Sequence, residues 1–243
     1  MRFVVALVEL SALFAVAGAP VSRAVADDAN TCMYRIGDEQ IAACTRVIQS
    51  GRWSGQALAR VYARRGIAYR AKGDLDRATA DYHEVVRLDR KLPEAYLELG
   101  LAYLYRGNLP RAFAEVRQAS EFHPMDPYGA LWVDIVGQRN NLPSRLSEVI
   151  SNIDMTAWPA PVIRLFLGQT TPAAVLAAAA DPDPVKQARQ VCDADFFSGE
   201  WSLRSGAKDE ARRLFLLAAG DCPKSFIQWS AALEELKSLR ASR

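Results

Sequence analysis

The chain has 243 residues, half of them apolar, which is enough to build a sizeable core and excludes an intrinsically disordered protein. Thirty basic side chains nearly balance 28 acidic ones. Bulk charge therefore supplies neither a nucleic-acid footprint nor long-range steering of an acidic substrate.

The chain opens with Arg2 and an apolar run from Phe3 to Ala19, interrupted at Glu9. That pattern predicts a secretory signal over residues 1–26, with Ala24-Val25-Ala26 as the small-x-small cleavage site and Asp27 as the mature N-terminus. Glu9 disfavours a permanent anchor, because a charge in mid-membrane costs roughly 3 kcal/mol. An uncleaved anchor is the alternative. No other stretch is apolar for long enough to span a bilayer.

Residues 27–58 contain one amphipathic stretch, Asp38-Glu-Gln-Ile-Ala-Ala-Cys-Thr-Arg-Val-Ile-Gln-Ser-Gly51, which reads as the second helix of a hairpin without its first. The next 68 residues, 59–126, repeat themselves. Gly66, Tyr69, Gly73, Leu75 and Ala78 recur 34 residues later as Gly100, Tyr103, Gly107, Leu109 and Ala112. Apolar residues in three- and four-residue steps make each unit two helices, broken at Gly73-Asp74 and Gly107-Asn108.

Pro93, Pro127 and Pro161 keep the same period and mark helix starts. Two degenerate units therefore fill residues 127–191. The first has lost its glycines but keeps Leu146, Ile150 and Ile153; the second recovers Gly168 and ends in a short Ala-rich helix begun by Thr171-Pro172. Residues 192–243 hold a last unit, in which Gly199, Gly206, Ala211, Phe215, Ala218 and Pro223 keep the internal spacing of the second copy. Phe226, Trp229, Leu233, Leu236 and Leu239 then form one stripe opposite Glu234, Glu235 and Lys237, the pattern of a terminal cap. The expected fold is all-α: one solenoid of about five helical hairpins with flanking helices.

A 34-residue period with small residues at helix crossings and Gly at the turn resembles the tetratricopeptide repeat, whose hairpins stack into a right-handed superhelix. The resemblance implies that first helices line a concave groove for protein or peptide partners. In its pattern the groove positions of the first unit are Arg60, Ala63, Arg64, Ile67, Arg70 and Ala71, and those of the second are Glu94, Leu97, Glu98, Leu101, Leu104 and Tyr105. Three guanidinium groups around Ile67 suit a carboxylate or acidic segment. Leu97, Leu101, Leu104 and Tyr105 form an apolar ledge. The alternative is that the arginines are a solvated face and the leucines pack on the next repeat.

From Tyr128 onward, the decayed units, the Ala-rich helix and the stretch from Asp193 to Leu236 look similar to the NlpI-type envelope lipoproteins. That resemblance implies a non-enzymatic periplasmic adaptor that dimerises, docks a tail-specific protease and presents peptidoglycan hydrolases to it. Cys32 follows Ala-Asn-Thr, far beyond Ala19, and lacks the lipidation setting of that family, so a soluble periplasmic protein is expected. A structural part of an envelope assembly and a peptide- or glycan-binding module are the alternatives.

The remaining residues supply little chemistry. His83 and His123 are the only histidines, and neither has a metal-pairing neighbour one helical turn away. There is no nucleophile elbow, phosphate loop or metalloprotease motif, so no cofactor, metal or catalytic residue is expected. Trp158, between Ala157 and Pro159, is the tryptophan singled out as a contact residue. Four cysteines in an exported chain suggest disulfides. Cys192 opens its unit and Cys222 closes it, so the hairpin register pairs them and leaves Cys32 for Cys44.

Overall fold

A computed structural model describes residues 23–224 and 226–241. The expected signal over residues 1–26 lies outside them except for its last four residues. Among the described residues no helix is long and apolar enough to cross a membrane.

The chain is all-α. Its first helices are α1 (Arg23–Tyr34), α2 (Gly37–Gln49), α3 (Gly55–Ala71) and α4 (Leu75–Leu88), followed by α5 (Pro93–Tyr105) and α6 (Leu109–Phe122). Consecutive helices pack as hairpins, and the hairpins stack in chain order. Where the sequence shows a second helix with no first, α1 takes the missing place. It begins upstream of the expected cleavage site and is tied to α2 by the Cys32–Cys44 disulfide, whose Cα atoms lie 4.7 Å apart.

Glycine explains why the repeat is legible. At Gly66, Gly100 and Gly199 the first helix of a unit presses on its second, and an added Cβ would lie 2.6–2.8 Å from Tyr82, Val116 or Phe215. Only a hydrogen fits. The turns start second helices in a similar way, with the Asp74 and Asn108 side chains accepting from the backbone N–H of Arg77 and Arg111.

The third unit departs from this plan, and two substitutions show how. Asp134 stands where the first two units carry Gly66 and Gly100, in α7 (Pro127–Arg139). No full second helix presses on it: Pro143 delays that helix, and only one turn, α8 (Leu146–Val149), and a 3-10 turn at Ile150–Asn152 follow. Asn141 stands at the turn position of Gly107 and takes φ 58°, a left-handed conformation that asparagine tolerates better than most residues.

The fourth unit is shorter still: α9 (Ala160–Phe166) and α10 (Pro172–Ala178) have two turns each. Gly168 keeps its register position but ends α9 with φ 71° instead of sitting at a helix crossing.

The last unit starts earlier than its register suggests. α11 runs from Pro184 to Arg204, its N-terminus capped by Asp183, so Cys192 lies two turns inside the helix and the turns before it overhang in solvent. α12 (Lys208–Asp221) returns antiparallel, and Cys222 arrives beside Cys192 with a Cα–Cα separation of 5.0 Å. The expected pairing forms although the expected helix boundary does not.

The C-terminal helix, α13 (Ile227–Ala241), does not cap the stack with a polar outer face. Glu234 and Glu235 are buried along with Leu236 and Leu239. Lys237 and Glu234 reach Gly73 at the turn between α3 and α4, so the last helix meets the early repeats. One continuous apolar cluster runs from Tyr69 and Leu101 to Leu236 and Leu239.

Candidate functional site

Five helices, α3, α5, α7, α11 and α13, supply the buried polar groups described below and are called the inner helices, and the expected groove residues divide along α3 and α5. On α3, Arg60 and Arg64 stand one turn apart and exposed, while Ile67 is half-buried against the core. Neither arginine has an ion-pair partner among the described residues. Their neighbours do: Arg65 binds Asp81 through two hydrogen bonds of 2.7 and 2.8 Å, and Arg77 pairs with Asp74 at the adjacent turn. Arg60 and Arg64 are thus uncommitted cations one turn apart on the same helix.

Arg70 is a correction to the expected groove. Its side chain is 4% exposed, with Nε 2.8 Å from Glu98 Oε2 and Nη2 donating to Glu98 Oε1 at 3.2 Å. The Tyr82 hydroxyl donates to Glu98 Oε2 at 3.2 Å. Glu98 sits on α5 one repeat away, so a groove position that looked available for a partner is used to join two hairpins.

The apolar ledge is corrected likewise. Leu101 and Leu104 are buried, in the same cluster as Leu236 and Leu239 of α13, whereas Leu97 is half-buried at its edge. Tyr105 is half-buried with its hydroxyl enclosed and without a hydrogen-bond partner. Burial raises that phenol well above its ordinary value, and the carboxylates of Glu235 and Glu200 add to the shift. The ledge is filled by the chain itself.

Beyond Tyr105 the buried polar groups continue. Arg139, at the end of α7, donates from Nη2 to Glu200 of α11 at 2.5 Å and from Nη1 to Glu235 of α13 at 2.7 Å. Burial, opposed by Arg139 and reinforced by Glu235, pushes the Glu200 carboxyl up to about 8. Arg70, Glu98, Tyr105, Arg139, Glu200 and Glu235 therefore form an inner axis to which all five inner helices contribute. Sequence reasoning missed Glu200 and Glu235 because glutamate on an amphipathic helix ordinarily marks the solvent face.

Trp158 is half-buried, and its indole N–H donates to Asp193 Oδ2 at 2.9 Å. Tyr128 donates to the same oxygen at 2.6 Å, and Gln228 of α13 donates to Oδ1 at 2.9 Å. Burial raises the Asp193 carboxyl, partly offset by these Tyr128 and Trp158 bonds. Trp158 is thereby a latch on the C-terminal unit, not a free platform. His83 bonds through Nε2 to the Tyr103 hydroxyl at 2.8 Å, joining successive repeats.

Residues 66–107 match the family described as TPR repeat. The segment contains the repeated Gly, Tyr and turn-Gly positions described above. A tetratricopeptide repeat protein from Parabacteroides merdae ATCC 43184 is similar in structure, with 17% identity over 83% of this chain and 77% of that one and a TM-score of 0.47. The structure of Naa15/Naa10 bound to HypK-THB is also similar, with 13% identity over 90% of this chain and 33% of that one and a TM-score of 0.40.

Proposed function

We propose that the protein is an exported, non-enzymatic adaptor that binds protein partners through the part of its inner face left open, with Arg60 and Arg64 as charged contacts and Ile67 and Leu97 beside them. The carrying observation is the contrast on α3 and its neighbours: Arg65, Arg70 and Arg77 are ion-paired, and Arg60 and Arg64 are exposed and unpaired. Tetratricopeptide repeats are protein-binding modules, and two such units frame this surface. The Cys32–Cys44 and Cys192–Cys222 disulfides, with the leader expected over residues 1–26, support an oxidising compartment such as the periplasm. The partners suggested by the NlpI-type resemblance are a tail-specific protease and peptidoglycan hydrolases.

The test is capture of partners in living cells by a photo-crosslinking residue placed at position 60 or 64. Recurrent envelope proteins should be trapped, and Arg60→Ala/Arg64→Ala should weaken their recovery while leaving the melting temperature unchanged, since exposed substitutions usually change stability by no more than about 0.5 kcal/mol. Unchanged recovery by the double variant would move the docking face elsewhere.

A further inference from the structure

The last helix sits where the groove of the early repeats would take a ligand. Leu101 and Leu104 of α5 hold groove positions, yet they are buried in one cluster with Leu236 and Leu239 of α13. α13 is fastened differently along its length. Its first half belongs to its own unit, with Gln228 donating to Asp193 of α11 at 2.9 Å and the Trp229 indole donating to the Ala219 carbonyl oxygen of α12 at 3.1 Å. Its second half meets the earlier repeats: Glu235 accepts from Arg139 of α7 at 2.7 Å, and Glu234 and Lys237 lie at the Gly73 turn. Arg212 of α12 also reaches this half, donating to the Leu239 carbonyl oxygen at 3.0 Å.

The buried face of that second half has the spacing of a docked helix. Ala232, Glu235, Leu236 and Leu239 are buried at i, i+3, i+4 and i+7, the anchor pattern of an amphipathic helix lying in a groove. The contact is also polar for a core. Of the eight buried residues of α13, Gln228, Ser230, Glu234 and Glu235 are polar, whereas the four buried in α12 are Ala211, Leu214, Phe215 and Ala218. Permanent contacts bury mainly apolar surface, and separable ones carry more polar groups. Charge favours separation as well. Two carboxyls, Glu200 and Glu235, share Arg139. When the second half of α13 lifts, Glu235 returns to water and Arg139 keeps Glu200, so neither partner is left buried and alone.

We propose that the second half of α13 is an internal ligand closing a docking groove on α5 and α7, and that a partner protein's amphipathic helix of the same pattern displaces it. The partner helix carries a small residue, a carboxylate and two leucine-like side chains at the spacing of Ala232, Glu235, Leu236 and Leu239, with Arg139 taking the carboxylate. The groove lies apart from the exposed Arg60 and Arg64 and does not rest on the reading of that face. Because α13 competes for its own groove, the partner's apparent affinity is reduced by the fraction of molecules in which the groove is open.

The test titrates the disulfide-bonded, full-length protein with an acetylated, fluorescein-labelled peptide of residues 231–241, followed by anisotropy. Wild type should bind it weakly. Leu236→Asp/Leu239→Asp in the protein should loosen the internal helix and raise peptide affinity by about tenfold or more, while the same substitutions in the peptide should abolish binding. Glu235→Ala in the peptide should weaken it. Should the protein variant fail to fold, hydrogen exchange in the wild type decides: excess peptide should strip protection from the protein's own residues 234–241 while α5 keeps its protection. Protection of residues 234–241 unmoved by peptide overturns the proposal, as does unchanged peptide affinity in the folded variant. A variant that dimerises and excludes the peptide would show α13 exchanged between copies, which overturns the assignment to a partner protein. Arg60→Ala/Arg64→Ala should leave peptide binding unchanged, which separates failure of this groove from failure of the exposed face.

Discussion

At Gly100 an added methyl group would lie 2.6 Å from Val116 Cγ1 and 3.1 Å from the Val116 backbone nitrogen. A side chain can swing aside, but backbone on a packed helix cannot. Gly100→Ala should therefore lower stability by about 1–3 kcal/mol, the usual cost of overpacking a core, measured as a shift in the urea midpoint. Asp134 is the internal control, since the same register position tolerates a carboxylate where no full second helix approaches. Residues of this kind were legible in the sequence because sterics allow few substitutes. Arg70 was not. An arginine reads the same whether it meets solvent or Glu98, and only the neighbouring repeat decides.

Helix boundaries follow the chemistry of their ends. The first two repeats announce themselves through turn glycines, capping residues and Pro93, so their four helices could be read directly. α8 and α11 were harder. Pro143 replaces a helix start with a loop, and Asp183-Pro184 begins α11 two turns before the repeat register calls for it. The overhang leaves Cys192 beside Cys222, and their bond closes a loop of sequence separation 30. In the chain-entropy treatment such a loop contributes about 3–4 kcal/mol. Cys192→Ala/Cys222→Ala should lose most of that, and hydrogen exchange should accelerate first in α12 and α13, the helices on either side of Cys222. Uniform acceleration from α3 to α13 would show that the bond stabilises the whole stack instead.

The whole molecule is held by an axis that all five inner helices share, and its protonation couples folding to pH. Glu200 has an ordinary value of 4.5 and is pushed up to about 8 in the fold. Folding therefore takes up a proton between those pH values. The stability Glu200 contributes is complete below pH 4.5, falls as pH rises, and is gone above about 8. Glu200→Gln mimics the protonated form, so the stability difference, wild type minus variant, should fall from pH 5 to pH 8.5. A difference that is flat or rises with pH would show that Glu200 is ionised in the native protein. None of this was visible in the sequence of α13, where Glu235 and Lys237 both read as ordinary solvent-facing charges. The distinction between them arises only when Arg139 approaches one and Gly73 the other.

The contact of Lys237 and Glu234 with Gly73 also bears on how such a chain can change over generations. Open arrays of repeats lengthen and shorten by duplicating or losing whole units, since a new unit needs only its two neighbours. Here a duplicated 34-residue unit between α6 and α7 would carry α13 away from Gly73 and break its fit to the early repeats. An inserted unit would cost that contact, whereas shortening within a unit leaves it in place. Residues 127–191 have the form such a history leaves: their helices shorten and their glycines are exchanged, but the repeat count is kept.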